Sequence, residues 1–275
     1  MSAAPARRPA APPEGAVELA GVLARDVVDL LRRDLGTGPR TDVTTKAHAA
    51  DLLTGADVAV EAHVRSAVLD RFPDHGVVGE EGGTSGADTA HCRWWVDPVD
   101  GTTNWAHGLP WASFSLALTV DGTPVLGVVA DPFRQEIWAA STDRTATLDG
   151  RPVHCSETAG LAGTLVLTEW AAHEPWPGMD TLLSGLASQH CTSRVMGSSA
   201  LSLASVAAGR AAGTVIGQFS PVDDLAGAYI AVRAGAQVLS ADGSLTPGHG
   251  GIAVAAPGVA GQLRALLPDS WAGSD

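Results

Sequence analysis

The sequence predicts a layered fold of the α/β or α+β class, and three observations support that prediction. Apolar residues recur at helical spacing over residues 17–35 and 54–71. Short apolar runs typical of strands then follow one another between residues 93 and 141. Beyond residue 160, strand and helix patterns alternate. A chain of 275 residues is long enough to bury a sizeable core between such layers.

The N-terminal half, residues 14–150, follows a tail over residues 1–13 whose Ala- and Pro-rich composition predicts disorder. Asp51 or Thr54 can cap the second helix. Asp-Gly pairs at 121–122 and 149–150 indicate hairpin turns. In chain order we expect a helix over 17–35, a loop over 37–50, a helix over 54–71, a strand over 75–78, a Gly-rich loop over 82–91, and strands over 93–96, 113–120, 124–131 and 136–141.

The C-terminal half, residues 151–275, shows the alternation of strands and helices more clearly than the first half. Gly-rich and Pro-rich segments separate its elements, as expected for loops. In chain order we expect a strand over 164–169, helices over 179–189 and 200–208, a strand over 212–216, a helix over 225–233, strands over 236–239 and 251–255, and a helix over 259–267.

Composition excludes several classes of function. The net charge is −13, and a surface this acidic argues against nucleic acid and anionic membranes as partners. Cys92, Cys155 and Cys191 form no CxxC pair, so we expect neither a zinc site nor a redox motif, and a reducing cytoplasmic setting fits best. The longest uncharged run, residues 101–120, contains Asn and Pro and is poor material for a membrane span. No apolar segment follows the two N-terminal arginines, so no export signal is expected.

Acidic residues stand where predicted elements end. Asp97 and Asp100 follow a short buried strand, three positions apart across a turn fixed by Pro98. Two carboxylates this close repel each other unless a cation lies between them, and Mg²⁺ prefers carboxylate, carbonyl and water oxygens. The amides of Gly101 and Thr102 then start the next segment, where a phosphate oxygen can bind. An Asp-Pro/Asp-Gly turn without any ligand is the alternative interpretation.

Three further acidic positions admit both a structural and a functional interpretation. Glu80 and Glu81 end a strand 17 positions before Asp97, so the two strand ends can meet, although paired glutamates are usually just solvated. Asp223 and Asp224 precede an apolar helix, where an Asp can be an N-cap, a metal ligand or both. Asp51 is another acidic candidate for the site.

Together these residues resemble the signature of the lithium-sensitive, magnesium-dependent phosphatases typified by inositol monophosphatase. That signature is D…GEE…DPxDGTxN…WDxAxA, and the resemblance runs from about residue 15 to 265. It implies the αβαβα layered sandwich shared with fructose-1,6-bisphosphatase. The matching residues are Asp51, Gly79-Glu80-Glu81, the run DPVDGTTN at 97–104 and the run DDLAGA at 223–228.

The resemblance also implies roles for individual residues. Glu80, Asp97 and the Val99 carbonyl would hold one Mg²⁺, and Asp97, Asp100 and Asp224 a second, while Glu80 would face a third ion through water. Thr102, polarised by Asp51, would orient and deprotonate the attacking water, so the expected catalytic residues are Asp51, Thr102 and Glu80. The amides of Gly101 and Thr102 would bind the phosphate. Most of the metal ligands thus fall in residues 14–150, and residues 151–275 would complete the site and the substrate pocket.

This sequence departs from the family pattern at two places. Asp223 replaces the Trp of the family's Trp-Asp pair. Inositol-specific members place a Glu on the preceding strand, where it contacts a substrate hydroxyl, whereas residues 217–221 here read GQFSP, and Gln218 is the candidate for that role. Arg194, Ser198 and Ser199 are the other expected substrate contacts, and Lys46 matches the family's lysine near the first helix.

The sequence therefore predicts a phosphatase that hydrolyses a small phosphate monoester by metal-activated water, with two or three Mg²⁺ ions as cofactors. The alcohol can be an inositol, a sugar, another polyol or an amino alcohol, and fructose bisphosphate, histidinol phosphate and a 3′-phosphonucleotide are all compatible. The alternative is a catalytically weak paralogue that binds metal or sugar phosphate or serves a regulatory role. The resemblance also allows a homodimer. Trp170 and Trp176 lie in a Pro-rich segment that could cover the site.

Overall fold

Two N-terminal helices form the outer layer of the molecule, which we describe from a computed structural model covering residues 10–35, 42–87, 89–171, 174–239, 244–245 and 250–268. Helix α1 (Ala16–Arg33) buries the stripe that includes Leu23, Val27 and Leu31, as its periodicity predicts. Helix α2 (Gly55–Arg71) is capped by Thr54, and Val60, Val64 and Val68 face the core. Residues 1–9 of the predicted disordered tail lie outside the described residues.

An eight-stranded sheet forms the second layer, and its spatial order is β10-β9-β8-β7-β6-β5-β3-β4. Its neighbouring strands are antiparallel except for β3 and β5, which run parallel. Their carboxyl ends therefore meet at one edge, with Gly79 opposite Val96. The strands are β3 (Gly76–Gly79), β4 (Gly83–Gly86), β5 (Cys92–Asp100), β6 (Ser113–Val120), β7 (Thr123–Asp131), β8 (Glu136–Ser141), β9 (Arg144–Leu148) and β10 (Arg151–Pro152).

A five-stranded sheet with the order β12-β11-β13-β15-β14 forms another layer. Its strands β12, β11 and β13 are parallel, so their carboxyl ends lie along the same edge. The strands are β11 (Leu165–Glu169), β12 (Thr192–Val195), β13 (Gly213–Ile216), β14 (Gln237–Val238) and β15 (Ile252–Ala255). A separate hairpin joins β1 (Val43–Thr45) to β2 (Leu52–Thr54).

The remaining helices occupy the other layers. Helices α5 (Ser199–Ala207) and α6 (Pro221–Arg233) share a buried core with both sheets and lie between them. Helices α4 (Met179–Ser188) and α7 (Pro257–Arg264) cover the outer face of the five-stranded sheet. The short helix α3 (Thr102–Ala106) follows β5. With α1 and α2 on the far face of the larger sheet, the order of layers is α, β, α, β, α, so the predicted sandwich is confirmed.

The sequence prediction is wrong for several short strands. It gave β1 and β4 as loops, placed Thr54 of β2 in the second helix, and did not predict β9 or β12. These strands are short and carry few core residues, so they show little apolar alternation. Val58, expected in the apolar stripe of α2, is 54% exposed. None of the described helices is both long and apolar enough to cross a membrane.

Candidate active site

A cavity of about 660 Å³ opens where the two sheets approach each other. Its walls come from the end of β5, the starts of α3 and α6, the β1–β2 hairpin and the carboxyl ends of β11, β12 and β13. Such an edge of parallel strands is a common ligand site in α/β folds. Seven acidic side chains line this cavity: Asp51, Glu80, Asp97, Asp100, Glu169, Asp223 and Asp224.

Strand β5 delivers Asp97 and Asp100 to the cavity through an irregularity in its pairing. Asp97 lies opposite Ser115 and Asp100 opposite Ser113, so three steps along β5 match two along β6. Asp97 and Asp100 are 3% and 8% exposed, and Asp97 Oδ1 accepts a hydrogen bond of 2.9 Å from the Val99 amide. Burial, together with repulsion from Glu80 and the other nearby acids, raises the pKa of Asp97 well above its usual value.

Asp100 lies against the N-terminus of α5. Its Oδ2 accepts hydrogen bonds from the Ser198 hydroxyl at 2.5 Å and the Ala200 amide at 2.8 Å, and its Oδ1 accepts one from the Ser199 amide at 3.2 Å. Burial raises the pKa of Asp100 to about 6, although these donors oppose the change. A helix N-terminus favours an anion, so α5 fixes this carboxylate in place.

Asp224 lies within the first turn of α6, which begins at Pro221 and not, as predicted, at residue 225. Pro is well suited to a first helical position, and this explains the earlier start. Asp224 accepts hydrogen bonds from the Ser199 hydroxyl at 2.5 Å and the Ser220 amide at 2.7 Å. Burial raises its pKa to about 7. Ser198 and Ser199 therefore join Asp100 and Asp224 to the same turn of the chain.

Asp223 is the most unusual acid of the cavity. Its Oδ1 atom is buried and has no hydrogen-bond partner among the described residues. Burial and repulsion from Asp224, Asp100 and Glu80 raise its pKa well above the usual value. The residue in the place of the family's Trp thus adds a carboxylate to the cavity.

Glu80 enters the cavity from the end of β3 and is partly exposed. Lys46 Nζ donates hydrogen bonds of 2.8 Å to both Glu80 and Glu81. Burial alone would lower the pKa of Lys46, but the bonds to Glu80 and Glu81 raise it overall, so the ammonium stays charged. A cation thus already lies beside Glu80, and Lys46 itself lines the cavity.

The expected pairing of Asp51 with Thr102 is wrong, because the structure gives that position to Asp57. Asp57 Oδ1 lies 3.4 Å from the Thr102 hydroxyl, which also donates to the Val99 carbonyl at 2.9 Å. Asp51 instead accepts a hydrogen bond of 3.1 Å from the Ala47 amide, within the β1–β2 hairpin, and lies 3.7 Å from Lys46. Asp51 lines the cavity but stabilises the hairpin turn.

Asp57 could have been found from its spacing to Thr54. Its Oδ2 accepts hydrogen bonds from the Thr54 amide at 2.7 Å and the Thr54 hydroxyl at 2.6 Å, so it helps to cap α2. The side chain is fully buried, and burial raises its pKa. A capping acid on the core-facing side of a helix is the signal that points to this second role.

Gly101 makes the turn from β5 into α3. Its φ of +93° lies in the left-handed region. A Cβ here would come 2.6 Å from the Gly197 carbonyl oxygen and 3.1 Å from that of Trp111. Only glycine fits this position without strain. The amides of Gly101 and Thr102 thereby stand at the start of α3, on the cavity wall.

The expected substrate contacts divide into two groups. Ser199 and Gln218 line the cavity. Ser198 is 1% exposed and supports Asp100 instead of facing the opening. The prediction for Arg194 is wrong, because its exposed side chain borders a separate cavity beside Thr192 and Arg210. Arg194 lies before the end of β12, whereas the cavity reaches only the strand end.

Glu169 is a site residue that sequence reasoning missed. It ends β11 and is 5% exposed. Its Oε2 accepts a hydrogen bond from the Gly197 amide and its Oε1 one from the Ser202 hydroxyl, both at 2.6 Å. Burial raises its pKa to about 7. An acid directly after a buried strand was the available signal, as it was for Asp97.

The donor set of the cavity fits a hard divalent cation. All the candidate donors are oxygens, several buried carboxylates raise one another's pKa, and one buried Asp223 oxygen is unpartnered. In the described ranges, no three His, Cys, Asp or Glu side chains are arranged so that they could already hold an ion. Hydroxyls and amides of the α5 turn occupy oxygens of Asp100 and Asp224. Metal binding would require these carboxylates to reorient.

Comparison with known proteins agrees with this geometry. The model of the inositol monophosphatase family matches residues 16–272. Inositol-1-monophosphatase from Synechocystis sp. is 37% identical over 212 residues, which cover 74% of this chain and 72% of the relative. The Nus factor SuhB of Pseudomonas aeruginosa is 35% identical over 237 residues, covering 82% of this chain and 86% of the relative.

Solved structures show the same fold. The extragenic suppressor protein suhB from Bartonella henselae superposes with a TM-score of 0.84 at 26% identity, covering 92% of this chain and 98% of that one. Inositol monophosphatase from Anabaena superposes with a TM-score of 0.78 at 30% identity, covering 91% and 94%. This chain therefore belongs to the inositol monophosphatase family of phosphatases, which hydrolyse phosphate monoesters.

Proposed function

We propose that this protein is a Mg²⁺-dependent phosphatase that hydrolyses a small phosphate monoester at the cavity between the two sheets. The observation that carries the proposal is the convergence of Glu80, Asp97, Asp100 and Asp224 beside the start of α3. Four carboxylates next to backbone amides provide a site for cations and, through them, for a phosphate.

In this proposal two or three Mg²⁺ ions bind to the acidic wall. Glu80, Asp97 and the Val99 carbonyl would hold one ion, and Asp97, Asp100 and Asp224 a second, while Glu80 would face a third through water. When bound, such ions neutralise the phosphate, activate water and stabilise the leaving alkoxide.

The chain's own residues then orient the reactants. The Thr102 hydroxyl, held between the Val99 carbonyl and Asp57, is positioned to accept and direct a proton of the attacking water. The amides of Gly101 and Thr102 would donate hydrogen bonds to phosphate oxygens. Lys46 balances the charge of Glu80 through a hydrogen bond of 2.8 Å.

The alcohol of the substrate is proposed to be an inositol, a sugar, another polyol or an amino alcohol, as the sequence allows. Two relatives bear on this choice only through their names, one as inositol-1-monophosphatase and one as Nus factor SuhB. Residues 217–221 contain no acid, and this speaks against the contact that inositol-specific members make there. Ser199 and Gln218 remain the proposed polar contacts.

A second candidate function is a metal- or sugar-phosphate-binding or regulatory module with weak catalysis. The relatives named Nus factor SuhB and the additional acid Asp223 favour this alternative. All four proposed carboxylate ligands and Thr102 are retained, so we rank it second. We also propose a homodimer, as the family resemblance implies, and a reducing cytoplasmic location, which the three free cysteines support.

Phosphate release from a panel of monoesters, with Mg²⁺ and with a chelator, tests the main proposal. We expect release that requires Mg²⁺ and is abolished in Asp97→Asn. The matched control is Asp121→Asn, which changes an exposed acid at a hairpin turn. Release that continues in chelator, or that survives in Asp97→Asn, would contradict the proposed metal mechanism. Absence of release from every ester would favour the binding module.

A further inference from the structure

One wall of the cavity is apolar and faces the opening. Trp170 and Val195 both line it and are 48% and 38% exposed. They stand at the carboxyl ends of β11 and β12, adjacent parallel strands in which Thr168 pairs with Val195. Contiguous exposed apolar surface inside a cavity is typical of a place where a ligand binds.

Apolar residues at the neighbouring strand ends also border the cavity, although Ile216 is only 2% exposed. Ile216, at the end of β13, and Met196, after β12, also line the cavity. The residue after β13 is Gly217, where a Cβ would clash with Cγ of Trp176. Trp176 is 3% exposed and fills the space that a side chain at 217 would need. An acid that could contact a substrate hydroxyl therefore has no room at this position.

Apart from Gln218, which lines the cavity just beyond β13, few polar groups serve this end of the cavity. Both oxygens of Glu169 already accept hydrogen bonds, from the Gly197 amide and the Ser202 hydroxyl. Among the described lining residues, Lys46 is the sole Lys or Arg, and it is held by Glu80 and Glu81. A polyol would leave its hydroxyls short of partners against this wall, and a second phosphate would find no cation.

We propose that the alcohol of the substrate carries an aromatic ring, which stacks on Trp170 and packs against Val195. This inference rests on the proposed phosphatase function and, among small alcohols, selects one with an aromatic ring over the polyols. An aromatic ring buries its apolar faces against the indole and the valine and needs no hydrogen-bond partner there. The phosphate at the other end of such a molecule would lie against the acidic wall and its cations.

The test compares the hydrolysis of 2-phenylethyl phosphate with that of glycerol 2-phosphate, inositol 1-phosphate and fructose 1,6-bisphosphate in Mg²⁺. We expect kcat/KM to be about tenfold higher for the aromatic ester, the factor that one aromatic stacking contact supplies. In Trp170→Ala, KM for 2-phenylethyl phosphate should rise by about that factor with kcat nearly unchanged. KM for glycerol 2-phosphate should stay constant, and Trp170→Phe should restore most of the aromatic preference.

Val58→Ala is the matched control, because Val58 is an equally open apolar side chain, 54% exposed, on the outer helix α2. Val58→Ala should change neither kcat nor KM for either ester. Two outcomes would overturn this inference while leaving the phosphatase proposal intact. One is an equal loss of kcat/KM for both esters in Trp170→Ala, and the other is a wild-type preference for a polyol ester. No phosphate release from any of the four esters would overturn both together.

Discussion

The Thr102 hydroxyl lies 3.4 Å from Asp57 Oδ1, and this relationship ties the second helix of the chain to the turn after β5. The distance is long for an O–H···O hydrogen bond, and the shorter bond of that hydroxyl goes to the Val99 carbonyl at 2.9 Å. A small movement of Thr102 away from Val99 would strengthen its contact with the carboxylate. Asp57 is therefore a buried carboxylate within reach of the Thr102 hydroxyl.

Replacing Asp57 by Asn should lower kcat by about 10²-fold or more, since an amide cannot accept a proton in this position. Asn keeps the size of the side chain and can still accept one hydrogen bond from Thr54. The matched variant is Asp51→Asn, which changes a carboxylate on the same cavity that bonds only within the hairpin turn. Its kcat should fall far less.

Steady-state rates with saturating Mg²⁺ and substrate provide the measurement, with thermal melting to confirm that both variants fold. A larger loss of kcat in Asp51→Asn than in Asp57→Asn would restore the pairing suggested by the sequence resemblance. It would show that Thr102 changes its partner during the reaction.

The Ser198 hydroxyl offers a test of how the α5 turn supports Asp100. It donates a bond of 2.5 Å to a carboxylate that is 8% exposed, and it also lies 3.1 Å from the Ser113 hydroxyl. Ser198→Ala should lower the free energy of unfolding by about 1–3 kcal/mol, because a buried acceptor loses a donor. Urea denaturation checks this. Ser188→Ala, at an exposed hydroxyl that bonds only to the Gly185 carbonyl, should stay within about 0.5 kcal/mol of wild type.

The sequence predicted the long elements and the acids that follow strands, because both leave a local pattern. The run from Asp97 to Thr102 and the end of β3 could be placed together, since β3 and β5 are parallel neighbours. The partner of Thr102 could not be identified in the same way. Asp57 is 45 positions from Thr102 and looks locally like an ordinary capping residue.

Side-chain direction was the other quantity that sequence alone did not settle. Arg194 and Ser198 are near the cavity along the chain, but one lies on an exposed strand face and the other is buried against Asp100. Conversely, Glu169 joined the site through contacts with Gly197 and Ser202, around 30 residues away. Such contacts depend on how α5 packs on β11, and no short motif encodes that packing.

The buried acids predict how the stability of the metal-free protein depends on pH. Burial raises the pKa of Asp100 to about 6, and those of Asp224 and Glu169 to about 7, from ordinary values of 3.8 and 4.5. A folded-state pKa above the unfolded value means that folding favours the protonated form. The stabilisation is complete below about pH 4 and is lost as the pH rises through 6 to 7.

The midpoint temperature of thermal unfolding in chelator should therefore decrease as the pH is raised from 5 to 8. Mg²⁺ should reduce that fall, because a bound cation favours the ionised carboxylates. Differential scanning calorimetry across this range, with and without Mg²⁺, is the measurement. A midpoint temperature that is constant or rises with pH in chelator would mean that burial does not disfavour the ionised form of these carboxyl groups in the folded protein.

Asp223 should lower the free energy of unfolding of the metal-free protein at high pH. Its buried Oδ1 has no hydrogen-bond partner among the described residues, and Asp224, Asp100 and Glu80 repel its charge.

Asp223→Asn removes the charge at nearly constant volume, so at pH 8 in chelator the free energy of unfolding should rise by about 1 kcal/mol or more. The difference should shrink as the pH is lowered, because protonation then neutralises Asp223 in the folded wild-type protein. Asp29→Asn, on an exposed position of α1, controls for a change of net charge and should have little effect at either pH. A variant less stable than wild type at pH 8 would show that Asp223 holds a stabilising contact, and the opposing charges would then have to be balanced by a cation that survives chelation.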